Sequence, residues 1–391
     1  MLKGKKILIG VTSGIAIYKV LDLISKLRKL GANVEVIMTE DATKFVNPIT
    51  FETMSDNTVY TDMWIHPGKV LHIDITNDVD LFLVAPATAN TIAKVNAGIA
   101  DNLLTTSILA SKAPVVFTLA MNTNMFINPI TQRNINSLKE LGYGFIDCVE
   151  GHLACNTTGK GKMADPLDII DYIEGFFTEK DLLGKKIIIS SGATMARMDP
   201  VRFITNDSSG KMGYNLAKEA RNRGAEVVYV TARVTTEDLN GVKRINVKTN
   251  SELSNAIEKE FSDSDALIMA AARVDFEFET VYDTKMKKSE DSDSEIFKMN
   301  KTPDILKMFG HIKQNQTIIG FAAETSNVII NAQKKLMTKN VDYIIANDVS
   351  KEGAGFNYDT NIISVVSKEG VKEYEKMSKR EAANIILDLI R

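Results

Sequence analysis

The chain has 391 residues, 44% of them hydrophobic and 25% charged, with a formal net charge of −3. That length exceeds what one core fills and suits two domains, and the composition is that of a soluble globular protein. The charge balance gives no basic field for nucleic acid or an anionic membrane. The two cysteines, Cys148 and Cys155, cannot build a disulfide framework, and four histidines are few for a metal site. Behind Lys3, Lys5 and Lys6 the run ILIGV is too short for a signal-peptide core, and no apolar stretch is long enough to span a bilayer. A cytoplasmic location is expected.

In chain order, two segments begin alike: GKKILIGVTSG (4–14) and GKKIIISSGAT (184–194). Each is a β-branched run ending in Ser, Thr and Gly, followed by an amphipathic segment and a second strand. In the first helix Ile17, Val20, Leu21, Ile24 and Leu27 recur at three- and four-residue spacing and draw one apolar stripe. Gly31 and Gly224 sit where a helix would turn into the next strand. This order predicts an α/β protein of two doubly wound, mostly parallel, Rossmann-like domains, 1–180 and 184–391, joined near EGFFTEKDLLGKK. Further strands are expected at 80–87 and 114–122, with a helix around 90–110 between them. In the second half they fall at 265–271, 316–323 and 341–348. A terminal hairpin starts at 361–367, and a polar loop lies at 285–298.

In open parallel sheets ligands sit beyond the carboxyl ends of the strands. VTSGIA, VIMTEDA, VAPATANT and LAMNTNM are four such ends. The first places Ser13 and Gly14 where a helix N-terminus could cradle phosphate, although an N-cap explains Thr12 and Ser13 as well. APATANT offers only small or polar side chains, with Thr88 and Asn90 as hydrogen-bonding groups. That is room for a flat ring system, or equally a helix entry capped by Asn90. AMNTNM repeats the arrangement with Asn122. LHIDI carries His72 in a period-two strand pattern, a structural residue when taken alone. GHLACNTTGKGKM places Cys155 among small, flexible, polar residues, which suggests a flap that delivers its thiol. With no HExxH, CxxC or carboxylate pair, metal and glycosidase chemistries lapse. A Cys-His protease thiol would normally open a helix, and Cys155 does not.

APATANTIAK, GIADNLL, AMNTNM and GHLACNTTGKGKM together resemble the flavin-dependent cysteine decarboxylases, specifically 4′-phosphopantothenoylcysteine decarboxylase, over nearly all of residues 1–175. The resemblance implies FMN held around Ser13, Gly14, Thr39, Pro86, Thr88 and Asn90. It implies that the substrate's cysteine is oxidised to a thioaldehyde, loses carbon dioxide as an enethiol forms, and is then reduced. By position, His72 matches the active-site histidine, Asn122 the holder of the substrate carboxylate, and Cys155 the thiol needed for reduction, acting as an acid from a lid. Leu119 stands where this family usually has proline.

The second half is dense in phosphate-binding groups. DPVRFITNDSSGKMG clusters Arg202, Asn206, Ser208, Ser209 and Lys211 ahead of a helix, where a solvated turn with an N-cap is the plainer reading. MAAARVDF puts Asp275 just past a buried strand. Lys335 and Lys339, four residues apart, share a helix face and would repel unless an anion such as a triphosphate lay between them. DPVRFI, SSGKMG, the AA-x-x-D pattern, KMKK, GFAAET and ANDV resemble phosphopantothenate–cysteine ligase over 184–391. The resemblance implies activation of the phosphopantothenate carboxylate by CTP and Mg²⁺ to an acyl-cytidylate, which the amine of cysteine attacks. By position Asn206 and Lys285 are catalytic. Nucleotide contacts fall on Met269, Ala270, Ala271, Asp275, Lys285, Pro303, Asp304, Ile305, Leu306, Phe321, Lys335 and Lys339, with the metal ligands unassigned. Ala196 and Arg197 stand where an acid is usual, and Phe276 and Glu277 replace an aromatic–arginine pair.

The order of the halves matches the fused bifunctional enzyme family of coenzyme A synthesis. That match implies 4′-phosphopantothenate, cysteine and CTP as substrates, with no nucleic-acid or membrane partner. It also implies a homo-oligomer: a trimer-based decarboxylase, a dimeric ligase, and a dodecamer as one way to satisfy both. Two other readings are a flavin decarboxylase for another cysteine-terminated acid, with the second half kept for binding, and a non-catalytic flavin-binding regulator. The joint presence of His72, Asn122 and Cys155 argues against the regulator.

Overall fold

The computed structural model describes residues 2–64, 70–152, 158–287, 296–353 and 355–390. Cys155, within 153–157, therefore lies outside the described residues, as does Lys288 of KMKK. The chain divides into two compact units, Met1–Phe177 and Thr178–Arg391.

The first unit is built on a six-stranded sheet of β1 (Lys6–Val11), β2 (Asn33–Met38), β3 (Val59–Tyr60), β4 (Leu81–Ala87), β5 (Val115–Leu119) and β6 (Gly144–Ile146). Its order is β3-β2-β1-β4-β5-β6 and every pairing is parallel. Helices cover both faces, so central strands are apolar throughout instead of alternating: all seven residues of β4 are buried. On one face Ile17, Val20, Leu23, Ile24 and Leu27 of the first helix pack on Ile7, Ile9, Val34 and Val36; on the other, Leu103, Leu104 and Ile108 pack on Leu8, Phe82 and Phe117. Leu21 is only partly buried and Leu23 takes the inward position. An antiparallel hairpin, β7 (Val149–His152) with β8 (Thr158–Lys162), follows the sheet.

Two local expectations are corrected. The segment 90–110 is two helices, Ala89–Asn96 and Leu103–Ala110, because Gly98 turns at φ 68° and Asn102 caps a new start by accepting from Thr105 N. His72 lies in a one-turn helix, Leu71–Asp74, and not in a strand. Leu71 and Ile75 are buried while Ile73 between them is exposed, which is helical and not period-two spacing. Among the described thiols Cys148 is buried, and burial pushes it up to about 11, so it stays protonated and inert.

The second unit repeats the plan. In chain order come β9 (Lys186–Ser191), the short pair β10 (Met195–Arg197) and β11 (Phe203–Thr205), β12 (Glu226–Thr231), β13 (Lys243–Asn246) and β14 (Ala266–Met269). There follow the pair β15 (Phe276–Phe278) and β16 (Met299–Lys301), β17 (Thr317–Glu324), β18 (Tyr343–Asp348), β19 (Thr360–Asn361), β20 (Ile363–Ser367) and β21 (Gly370–Glu373). The main sheet runs β13-β12-β9-β14-β17-β18-β20-β21. It is parallel from β13 to β18, and the terminal hairpin β20-β21 closes it antiparallel. Ala196 packs with Val274 and Phe278 in a small apolar cluster, while the Arg197 guanidinium stacks 5.8 Å from the Phe203 ring. Leu119 is fully buried at the end of β5. In both sheets the strand order reverses next to the first strand, between β1 and β4 and between β9 and β14. The crevice at such a reversal is the expected ligand position.

Candidate functional sites

A cavity of about 680 Å³ opens at the β1/β4 reversal. Ser13 and Gly14 line it from the end of β1, Thr88 and Asn90 from β4, and Ala120, Met121 and Asn122 from β5. The two loops meet closely: a Cβ built on Gly14 would touch Pro86 at 3.6 Å and Thr88 at 3.8 Å. The capping alternatives resolve differently at each end. The first helix is preceded by Ala16 with no side-chain cap, and the Thr12 hydroxyl donates to the Pro86 carbonyl at 2.6 Å. Helix Ala89–Asn96 is capped by Thr88, which accepts from Thr91 N, so Asn90 is not the cap and faces the cavity. Asn122 Oδ1 accepts from Asn124 N at 2.8 Å, which fixes the plane of its amide.

The hairpin supplies a wall that the sequence reading did not assign: His152, Gly161, Lys162 and Met163. Lys19 completes it, donating to the Met163 carbonyl at 3.1 Å; burial, abetted by the nearby Lys162, lowers its pKa against the pull of Asp165 and Asp168. Lys19 is two residues past Ile17, a polar position just off the apolar stripe, which was the one available signal.

Three assigned residues do not line this cavity in the single chain: His72, half-buried on its short helix, Pro86, whose carbonyl is taken by Thr12, and Thr39. Thr39 precedes the helix Glu40–Thr43, and its hydroxyl is buried without a hydrogen-bond partner. An orphaned buried hydroxyl costs about 1–3 kcal/mol, and a bound ligand group would relieve it. Thr39→Val is therefore expected to leave the ligand-free protein as stable or slightly more so in thermal melts, while weakening flavin retention after gel filtration. Equal retention would remove Thr39 from the site.

The second cavity, about 350 Å³, lies at the β9/β14 reversal. Met269, Ala270, Ala271, Asp275, Leu306, Phe321, Lys335 and Lys339 all line it. So do Ser208, Ser209, Gly210 and Lys211, at the start of the helix Lys211–Asn222. Gly213 belongs to that first turn, where a Cβ would sit 2.5 Å from that of Ser191. Not assigned beforehand were Arg273, Asn347, Phe356, Asn361 and Lys379, which come from separate strand ends and from the last helix.

The rest sit behind this lining. Asn206 does not reach the cavity; its Nδ2 donates to the Arg273 carbonyl at 2.8 Å. Pro303 accepts from Arg273 through its carbonyl, Asp304 caps the helix Ile305–Ile312, and Ile305 is buried in the core. Lys285 is exposed and not part of the lining among the described residues. The segment holding it is fastened through Met286, whose N–H donates to Asp199 and whose carbonyl accepts from Arg202.

Lys335 and Lys339 correct the sequence reading in one respect. They need no shared anion, because each has its own carboxylate: Lys335 pairs with Glu324 at 2.6 Å and Lys339 with Asp304 at 3.2 Å. Asp304 also faces Arg273 at 3.6 Å. Burial works to raise the Asp304 carboxyl, but Lys307 N–H, Lys339 and Arg273 outweigh it and hold it below its ordinary value.

With both cavities defined, comparison with known proteins is direct. Residues 1–178 match the flavoprotein family model, and residues 182–391 match the DNA/pantothenate metabolism flavoprotein C-terminal domain. The coenzyme A biosynthesis bifunctional protein CoaBC of Bacillus subtilis is 44% identical over 397 residues, covering 100% of this chain and 97% of that protein. The chain belongs to the CoaBC family of bifunctional coenzyme A biosynthesis proteins. Its Vibrio cholerae member is 41% identical, covering 100% of this chain and 98% of its own. The crystal structure of a CoaBC C-terminal domain superposes with a TM-score of 0.47 at 36% identity, over 54% of this chain and 96% of that one. No described helix is long and apolar enough to cross a membrane.

Proposed function

We propose that residues 1–180 decarboxylate 4′-phosphopantothenoylcysteine with FMN and that residues 184–391 join 4′-phosphopantothenate to cysteine with CTP and Mg²⁺. The supporting observation is the pair of cavities at equivalent sheet reversals, one walled by small polar loops and the other by cations. The first fits a flavin: the small side chains of Ser13, Gly14 and Thr88 line it, Asn90 is released from capping, and the Thr39 hydroxyl lacks a partner. Bound there, FMN would supply the two-electron oxidation and reduction of the substrate. The chain's own residues bind and orient. Asn122 holds the substrate carboxylate through its fixed amide. Lys19 and Lys162 offer positive charge for the substrate's anionic end. Cys155 is the proton donor that the family resemblance assigns. His72 reaches the chemistry through a neighbouring copy, the homo-oligomer that the resemblance implies.

In the second unit the phosphopantothenate carboxylate attacks the α-phosphorus of CTP, pyrophosphate leaves, and the cysteine amine then displaces CMP from the acyl carbon. Lysines 335 and 339 and the uncapped helix start at Gly210 face the phosphates, so the work is electrostatic positioning. Asn206 acts through the Arg273 carbonyl, and Lys285 is carried over from the resemblance.

The test is incubation with phosphopantothenate, cysteine, CTP and magnesium, with pyrophosphate and carbon dioxide read separately. Pyrophosphate release that requires the acid, continues beyond one turnover only with the amine, and is followed by carbon dioxide is expected. Carbon dioxide from added phosphopantothenoylcysteine but no pyrophosphate under any condition would sink the ligase half.

A further inference from the structure

Lys379 opens the helix Lys379–Leu387 and is 4% exposed, yet it forms no ion pair among the described residues. Its ammonium donates to three backbone carbonyls of one segment: Gly355 at 3.4 Å, Phe356 at 3.0 Å and Tyr358 at 2.5 Å. Its own backbone N–H donates to the Asp359 carbonyl at 2.9 Å. From the helix Lys211–Asn222, Lys211 donates to the one carbonyl in the run that Lys379 leaves, Asn357, at 3.0 Å and pairs with the Asp359 carboxylate at 2.7 Å. The Ser209 hydroxyl donates to the Phe356 carbonyl at 2.7 Å. Four successive carbonyls, 355 to 358, are thus gathered on two ammoniums. Both lysines, with Gly355 and Phe356, line the second cavity.

A fan of carbonyl oxygens beside a phosphate site is repulsive unless cations absorb it. An ammonium has three donors, and here all three are taken by the segment, so Lys379 meets a ligand only through the wall it holds. We propose that Lys379 and Lys211 form a clasp that fixes Gly355–Asp359 as a wall of the nucleotide cavity, with Lys379 a positioning residue for the nucleotide. The inference rests on reading that cavity as the nucleotide site.

Other charges face Lys379 besides Lys211 and Asp359. On its own helix Arg380 is paired with Glu219 and Glu381 is held by Ser378; across the cavity stand Arg273, Asp275, Lys335 and Lys339. Burial first, then Lys211, pushes the Lys379 ammonium down to about 8 against the pull of Asp359. The clasp is therefore charged below that value and weakens above it.

Two measurements on the full chain decide the matter. In hydrogen exchange without nucleotide, Lys379→Met is expected to speed exchange in 355–359 by about tenfold or more. In calorimetric titration with CTP and magnesium near pH 7, the same variant is expected to raise Kd by about tenfold. From about pH 7 to pH 9 the wild-type Kd climbs more than that of Lys379→Met, which lacks the titrating group. Unchanged exchange in 355–359 overturns the clasp whatever CTP does. Faster exchange with an unchanged CTP Kd overturns the positioning role. Failure of wild type to bind CTP at all defeats the nucleotide reading, with the exchange result still deciding the clasp. Should Lys379→Met fail to fold, Lys211→Met, at a more exposed position, is read in the same two assays, with about threefold effects expected.

Discussion

Gly161→Ala is expected to empty the first unit of flavin while leaving pyrophosphate release by the second unit at the wild-type rate. A methyl group on Gly161 would fall inside the van der Waals shell of the Met121 carbonyl oxygen and 3.3 Å from Thr123 N. The clash is with backbone and cannot be relieved by a rotamer change. The same residue accepts from Met121 N at 3.0 Å, so hairpin and AMNTNM loop are coupled at the point where both line the cavity. Forcing a methyl group into such a contact costs about 1–3 kcal/mol, roughly tenfold to a hundredfold in affinity. The check is flavin absorbance per protein after desalting, alongside carbon dioxide release. Stoichiometric flavin with normal decarboxylation would show that hairpin and loop move independently.

Asn206→Asp is expected to lower ligation by about a hundredfold or more with decarboxylation intact. The wild-type amide donates to the Arg273 carbonyl; a carboxylate there presents an acceptor to an acceptor. The segment disturbed, 271–275, carries Ala271, Arg273 and Asp275 on the cavity wall, and Arg273 also faces Asp304. Loss of an interaction with a buried-side carbonyl, plus repulsion, is worth about 3 kcal/mol. Steady-state pyrophosphate release measures it. Equal loss of carbon dioxide release would signal general misfolding, and near-normal ligation would place Asn206 outside the machinery.

Much of this was legible because parallel sheets announce themselves. Buried runs such as LFLVAPA and IIISS mark the strands, and the small polar residues that follow mark where ligands gather. Asp275 on the wall of the second cavity was readable for that reason, whereas Met269 and Phe321 were assigned by position from the family resemblance. What escaped depends on pairing between distant segments. Nothing near Lys379 in the chain indicates that it will meet Gly355 to Tyr358, and nothing near Lys335 indicates that Glu324 will receive it. Helix-face reasoning placed Lys335 and Lys339 together correctly but could not see the strand end and the helix cap that neutralise them. His72 was misread because LHIDI alternates as well as it coils; the sequence of five residues does not separate the two periods, and the exposure of Ile73 between the buried Leu71 and Ile75 decides it.

The paired cations carry a consequence for selectivity. Among the described residues, Lys335, Lys339 and Arg273 each already rest on a counter-charge. A small single anion arriving there reaches one cation at a time and must displace a tethered carboxylate for each it meets. A chain of several linked phosphates can engage all of these heads at once while the acids swing aside, so sulfate or orthophosphate at millimolar levels should compete feebly against a triphosphate.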